Sequence, residues 1–343
     1  MKALVVDREQ EGSLGWYCAR TLSNMGHDVV TFDLERRPPP NAIAKRRLRT
    51  YAVRRFPSLA RRVILHQNRR LVESVREAKP DLLLVIKGRL VLSQTLEEIH
   101  RIPGRPVIVN WYPDPLLDLN SHDVLPAIGK YDHLFFKERN IIRHLKKLGF
   151  ENVQYLPHCT DAEIHHRIEL TEELTAEYGC DIAIAGDMYP FRVAFLERLA
   201  GLDLKIYGFG WDRLDRSHSL RARWHGGSVY GRKLTQALNA ARIVLNVHIY
   251  GECFGVNQRT FHTAGCGAFQ LTDARPDLEE FFEPGRDIIV YRTAGELEAL
   301  IKDFLPKDRE RNEIGLNAMK KVHARHTFLH RMKELLDMAG LAS

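Results

Sequence analysis

Residues Phe254 to Asp273 read FGVNQRTFHTAGCGAFQLTD. This pattern predicts a helix that begins near Val256 or Asn257, carries polar residues in its first turn and ends in Ala264, Gly265, Cys266 and Gly267. A short apolar strand, Ala268 to Leu271, follows and stops at Thr272 and Asp273. The start of such a helix offers backbone N–H groups without helical partners and the positive end of the helix dipole, which suits a diphosphate. The small residues at its end let helix and strand pack closely.

Outward from this segment, short apolar runs alternate with stretches of helical spacing. In the first half the strand-like runs are Ala3–Val6, Val29–Phe32, Leu82–Ile86, Val107–Val109 and Leu134–Phe136, with helical spacing near 14–25, 58–78, 92–100 and 138–149. The alternation restarts at Asp181. Strands are expected at Ile182–Ala185, Leu204–Tyr207, Ile243–Asn246, Ala268–Leu271 and Ile288–Tyr291, separated by helices near 190–200, 230–241, 256–265, 295–305 and 308–325. Strand, helix, strand in sequence argues for parallel sheets covered on both faces, so two doubly wound α/β domains with a cleft between them are expected.

Composition agrees with two domains of ordinary size. The chain has 343 residues and is 44% hydrophobic, enough for two cores. No run approaches the roughly 20 apolar residues of a membrane span. The start, MKALVVDREQ, meets charge too early for a signal peptide. The five scattered cysteines, Cys18, Cys159, Cys180, Cys253 and Cys266, suit reduced thiols in a cytoplasmic protein better than a disulfide frame or zinc site. The dispersed histidines make no metal motif, so no metal is expected.

The charge is uneven. From Arg36 to Val72 there are twelve Lys or Arg and no Asp or Glu. Taking those twelve from the formal net charge of +7 leaves about −5 for the remainder. The segment reads either as a docking surface for an anionic membrane or an acidic or lipid-linked acceptor, or as a solvated face. Its only aromatics are Tyr51 and Phe56, and no RNA- or DNA-binding signature accompanies them, so nucleic acid is not expected.

The 254–273 segment resembles the nucleotide-sugar-binding signature of glycosyltransferases with two facing Rossmann-like domains, the GT-B fold. Its N-x-R-x-F followed by A-x-C-G-A-F-x-L-T-D is similar to the CgeB-like branch, related to spore-maturation proteins. The resemblance implies an acceptor-side domain over 1–160, a nucleotide-sugar-binding domain over 161–325, and a C-terminal helix over 326–343 that packs back on the first domain. It also implies sugar transfer from a nucleotide-sugar donor that is a co-substrate, with no cofactor and no metal. YLPHCTD at 155–161 resembles the interdomain segment of such enzymes. An epimerase or hydrolase on the same fold, and a non-catalytic nucleotide-sugar-binding scaffold, are the alternatives.

Ligands of parallel α/β domains sit at the carboxyl ends of the strands, so the loops there hold the candidates. In the first half, Gly12 and Gly15 allow a tight turn before a helix; the resemblance puts this loop near the acceptor. Asp7, just before it, also fits a phosphoacceptor, but no other feature supports that. Lys87, in the Lys87-Gly88-Arg89 turn, follows the third strand. Asn110 to Pro115, NWYPDP, follows the fourth. Trp111 and Tyr112 offer flat faces for stacking a sugar. Asp114, between two prolines, is a candidate general base or a turn cap. A W-x-x-D-P stretch also occurs in the CgeB-like family.

In the second half Gly186 can approach a phosphate. Arg192, one helical turn on, is the cation the resemblance places near the diphosphate leaving group, with an exposed helix arginine as the plainer reading. Tyr207, Gly208 and Trp211 suit packing around a nucleobase, or simply a loop built on one buried tryptophan. Asn257, Gln258 and Arg259 open the signature helix. Glu252 lies slightly before the first of two glutamates usual in these enzymes, and His262 stands where the second, ribose-binding glutamate is usual. Histidine can hydrogen-bond a ribose but is not an equivalent acceptor.

Overall fold

The computed structural model describes residues 1–34, 57–115 and 124–342. Much of the basic segment expected to dock an anionic partner, Arg36 to Phe56, lies outside the described residues. The chain divides into two compact units: Met1–Leu156 together with Met332–Ser343, and Pro157–Arg331.

The first unit is built on β1 (Lys2–Val6), α1 (Leu14–Asn24), β2 (Asp28–Phe32), α2 (Pro57–Ala78), β3 (Leu82–Ile86), α3 (Ser93–His100), β4 (Val107–Tyr112), the short α4 (Val124–Ala127), β5 (His133–Phe136), α5 (Arg139–Lys147) and β6 (Val153–Tyr155). Among the described residues its six strands are parallel, in the order β2-β1-β3-β4-β5-β6. Central β3, LLLVI, is buried along its whole length, as a strand covered on both faces requires. Each fully buried Leu or Val there is worth about 1.5–3 kcal/mol against an exposed one. Helix α5 buries Ile141, Ile142 and Leu145 at i, i+1 and i+4 and leaves its lysines outside.

The second unit holds α6 (Glu172–Tyr178), β7 (Cys180–Ala185), α7 (Pro190–Leu196), β8 (Leu204–Tyr207), α8 (Gly231–Ala240), β9 (Ala241–Asn246), α9 (Gln258–Gly265), β10 (Gln270–Asp273), β11 (Ile289–Tyr291), α10 (Ala294–Phe304) and α11 (Asp308–Arg325); α12 (Phe328–Met338) begins in it and ends in the first unit. Its parallel sheet runs β11-β10-β9-β7-β8. Two Rossmann-like units of this kind make the fold class GT-B.

The signature helix forms where the sequence puts it. Asn257 is the N-cap, and its side-chain oxygen accepts the N–H of Thr260 at 3.0 Å. The strand after it starts two residues later than expected. The chain first turns at left-handed Gly267 (φ 63°), and Gln270 then pairs with Val244 while Asp273 pairs with Tyr291. The turn is tight: a Cβ on Gly315 of α11 would lie 2.3 Å from the Gly267 carbonyl oxygen. Among the described residues three elements, β6, α4 and α6, have no counterpart in the expected series.

The strand orders locate the crevices. A sheet wound in both directions from one strand opens between the strands where the order reverses. In the first unit this lies between the ends of β1 and β3, in the second between the ends of β7 and β9.

Candidate functional site

At the second unit's crevice the residue after β9, Val247, and the loop after β7 are tied together by one side chain. The guanidinium of Arg192 donates to the carbonyl oxygens of Asp187 and Val247 and is 6% exposed. Gly186 makes room for it, since a Cβ there would lie 2.8 Å from Nη1. Burial pulls the guanidinium's pKa below its ordinary value, opposed by Tyr189, Asp187, Glu252 and Asp273. Arg192 is therefore neither an exposed helix arginine nor a free cation at the surface. It is a clamp across the crevice.

Gly186 and Gly208 meet backbone to backbone: a Cβ on Gly208 would lie 2.1 Å from the Gly186 carbonyl oxygen. That same carbonyl accepts the indole N–H of Trp211 at 2.9 Å. Trp211 is fully buried and Tyr207 is 3% exposed, packed near Tyr178 and His225. Neither ring can face a nucleobase, which corrects the expectation for both. Phe209, 56% exposed, is the aromatic of this loop that reaches solvent. The backbone N–H of Phe209 and the Ser228 hydroxyl both donate to Asp187 Oδ1, at 2.9 and 3.0 Å.

The start of α9 is held by a buried polar network. His248, just past β9, has Nδ1 2.7 Å from Asp273 Oδ1, and its Nε2 accepts the backbone N–H of Asn257 at 3.1 Å. An amide can only donate, so Nε2 is the acceptor and the Nδ1–H faces Asp273. Asp273 also accepts the His248 backbone N–H at 3.0 Å and pairs with Arg275. Burial alone would raise the Asp273 carboxyl, but His248 and Arg275 outweigh it and hold the pKa below the usual carboxylate range. Asn246 adds side-chain bonds to Asn257 (3.0 and 3.2 Å) and Thr260 (2.8 Å). The cap is thus fixed from β9 and β10 together. The N–H groups of Gln258 and Arg259, at the opening of the helix, have no intrahelical acceptor. Arg259 adds a cation and Glu252, 6% exposed, lies close to Arg192.

His262 lies one helical turn on from Arg259, which is among its charged neighbours. It is 5% exposed and its ring stacks on His165, centroids 3.9 Å apart. His165 Nδ1 lies 3.2 Å from the Thr160 hydroxyl. Burial first, then the positive neighbours, push His165 down to about 3 and His262 well below its ordinary value. Both rings stay neutral.

In the first unit the crevice lies between Asp7 and Lys87. Asp7 Oδ2 accepts the Gly15 N–H at 2.7 Å, so an internal carboxylate already occupies the start of α1. A Cβ on Gly15 would lie 2.3 Å from Asp7 Cβ. Gly12 supplies the turn, at φ 79°. Burial raises the Asp7 pKa against the pull of the Arg8 and Gly15 N–H groups and of Lys87. Lys87 itself is left-handed (φ 63°), unusual for a residue other than glycine, and Gly88 follows at φ 72°. The turn aims Lys87 and Arg89 at Asp114: Lys87 Nζ is 3.1 Å away and Arg89 is hydrogen-bonded to the second oxygen. Burial would raise Asp114, but the two cations hold it below the usual range. Trp111 and Tyr112 are both fully buried, Trp111 donating its indole N–H to Leu156 O at 3.1 Å. They cannot stack on a sugar; the β4 side chains alternate into the two faces of a covered sheet.

Sequence reasoning missed His248, Asp273 and Asn246 as site residues. The Thr272-Asp273 ending of the signature strand was the one available hint, because a carboxylate at the carboxyl end of a parallel strand faces the ligand crevice.

These features define a GT-B chain whose second unit carries a prepared helix start. Residues 190–337 match the family model described as glycosyl transferase-like. Spore protein CgeB of Bacillus subtilis is 28% identical over 189 residues, covering 49% of this chain and 56% of that protein, so the chain spans about half the length of this curated relative. Among solved structures, a sucrose-phosphate synthase from Thermosynechococcus elongatus superposes with a TM-score of 0.70 at 11% identity, covering 100% of both chains. Anabaena HepE, solved in complex with UDP-glucose, gives 0.65 at 12% identity and 99% coverage of both.

Proposed function

We propose that this chain is a glycosyltransferase of the CgeB-like branch that moves a sugar from a nucleotide-sugar donor to an acceptor held on the first unit. The observation that carries the reading is the opening of α9. Asn257 is fixed there by His248, Asp273 and Asn246, inside the segment that matches the glycosyl transferase-like family. The two opening N–H groups and Arg259 would receive the diphosphate. They would meet the negative charge that grows on it as the glycosidic bond breaks, without a metal. Arg192 would act by holding the crevice loops at the correct separation. HepE is described with UDP-glucose, so uridine nucleotide sugars come first among the donors to test.

Asp7 and Asp114 are the carboxylates at the first unit's strand ends. Asp114, ion-paired to Lys87 and Arg89, fits a positioning role better than proton abstraction. Asp7, whose pKa burial raises and which has no arginine paired to it among the described residues, is the better base.

The test is a thermal-shift panel of nucleotides and nucleotide sugars, followed by product analysis with the stabilising donor. Stabilisation by one nucleoside diphosphate series, lost in Arg259→Ala, supports the donor site. Stabilisation without transfer to any acceptor and without donor turnover leaves a binding module.

A further inference from the structure

The second unit has another polar cavity at the opposite end of its sheet, beside the amino ends of β9 and β10. Its volume is about 170 Å³. Three arginines from three separate parts of the chain line it: Arg167, Arg242 and Arg311. Asp308 is the one carboxylate in the lining, and its side chain is 71% exposed. Asp181 pairs with Arg242 from outside the lining, at 3.1 Å.

Each arginine is anchored on one side. Arg167 donates to Gly267 O at 3.0 Å and to Asn312 Oδ1 at 2.8 Å. Arg311, buried, donates to Phe304 O, Leu305 O and Asp308. Arg242 reaches Asp181 and, at 3.4 Å, Asp308. A guanidinium has five N–H donors, so each keeps capacity beyond these bonds. Asn312 gives its oxygen to Arg167, which leaves its amide N–H groups as donors. Helix α11 starts at this cavity, and Lys307 gives it no side-chain cap. Three cations against two carboxylates, Asp308 and Asp181, around an open volume, favour a compact oxyanion, and guanidinium forks match phosphate oxygens in geometry.

We propose that this cavity, formed by Arg167, Arg242, Arg311 and Asn312, binds the phosphoryl group of a small anion. It lies beside the turn after α9, where Arg167 already grips the Gly267 carbonyl, so it is separate from the donor loops at the carboxyl ends of the strands.

The experiment titrates the full chain with inorganic phosphate at fixed ionic strength, with sodium chloride as control and a hexose phosphate as a second arm. An Arg259→Ala background removes the anion seat at the start of α9. In that background phosphate should still bind, and adding Arg242→Gln should weaken it at least tenfold. Arg242 is 46% exposed, so this change leaves the fold intact. Tighter binding of the hexose phosphate than of phosphate identifies a phosphorylated sugar as the occupant; equal binding identifies phosphate itself. Crystals of the unaltered chain soaked in selenate should carry a peak between Arg167, Arg242 and Asn312. Phosphate binding that ignores Arg242→Gln, or selenate crystals with no peak there, would overturn the proposal.

Discussion

His165 and His262 stack ring on ring, centroids 3.9 Å apart and planes 19° apart, inside the second unit. Both are buried beside Arg259, which makes a proton on either ring unwelcome. In the unfolded chain each histidine takes up a proton near pH 6.5. Below that pH the unfolded state therefore binds more protons than the folded one, and stability falls. The loss starts near pH 6.5 and continues toward about 3, the folded value of His165. Each pH unit costs about 1.4 kcal/mol per histidine. Acid melting curves should show the second unit unfolding well before pH 4. His262→Gln should flatten the profile between pH 6 and 4; an unchanged slope would exclude this pair as the cause.

Arg192 and Arg259 should separate cleanly. Arg192→Ala frees two carbonyls bound by a charged donor and should cost about 3 kcal/mol of stability. It should weaken nucleoside and nucleoside diphosphate binding together, because the loops lose their spacing. Arg259→Ala should spare stability and weaken the diphosphate far more than the nucleoside. Calorimetry with uridine and UDP on both variants distinguishes a clamp from a ligand; a diphosphate-selective loss in Arg192→Ala would return that residue to direct contact.

Gly208→Ala places a Cβ against the Gly186 carbonyl with no side chain able to yield. Overpacking of this kind costs about 1–3 kcal/mol. The variant should melt several degrees lower and lose donor binding even where it is folded, since the ends of β7 and β8 must part. A melting temperature equal to that of the unaltered chain would mean that the loops separate freely.

The two carboxylates of the first unit give opposite expectations. Asp7→Asn should preserve donor binding and reduce transfer by about two orders of magnitude or more. Asp114→Asn removes the charge that holds Lys87 and Arg89, so it should raise KM for the acceptor more than it lowers kcat. A kcat collapse confined to Asp114→Asn would reverse these roles. Product stereochemistry by NMR is an independent check, because a retained anomeric configuration dispenses with a base of either kind.

Most of this architecture was legible in the chain. The alternation of β-branched runs with helical spacing marked ten of the eleven strands among the described residues, and the N-cap at Asn257 was visible within a residue. Strand β6 escaped because Val153–Tyr155 has three residues and little apolar character. The site was harder to read. Trp111, Tyr112, Tyr207 and Trp211 looked like binding surfaces because aromatic residues near glycine and proline fit both loops and cores. Only the sheet's pleat decides which way they point. Arg192 was visible as a cation near a phosphate loop, but its two carbonyl partners are 5 and 55 residues away, and the longer separation has no local signature. Asp7 and Gly15 form a bonded pair across a loop in which the glycines read as an acceptor turn and the carboxylate only as a phosphoacceptor, so their contact went unread.

The division of the chain has a consequence for its biogenesis. The second unit is one continuous stretch, Pro157 to Arg331, whereas the first also needs residues from Met332 onward. On the ribosome, synthesis runs from the amino end and domains tend to condense as they emerge. Here the unit that starts first finishes last: its opening 156 residues must wait, without their closing helix segment, while the whole of the other unit is made and can condense. The nascent first unit accordingly waits with its last segment missing, and the final turns of α12 complete it after the second unit is already in place.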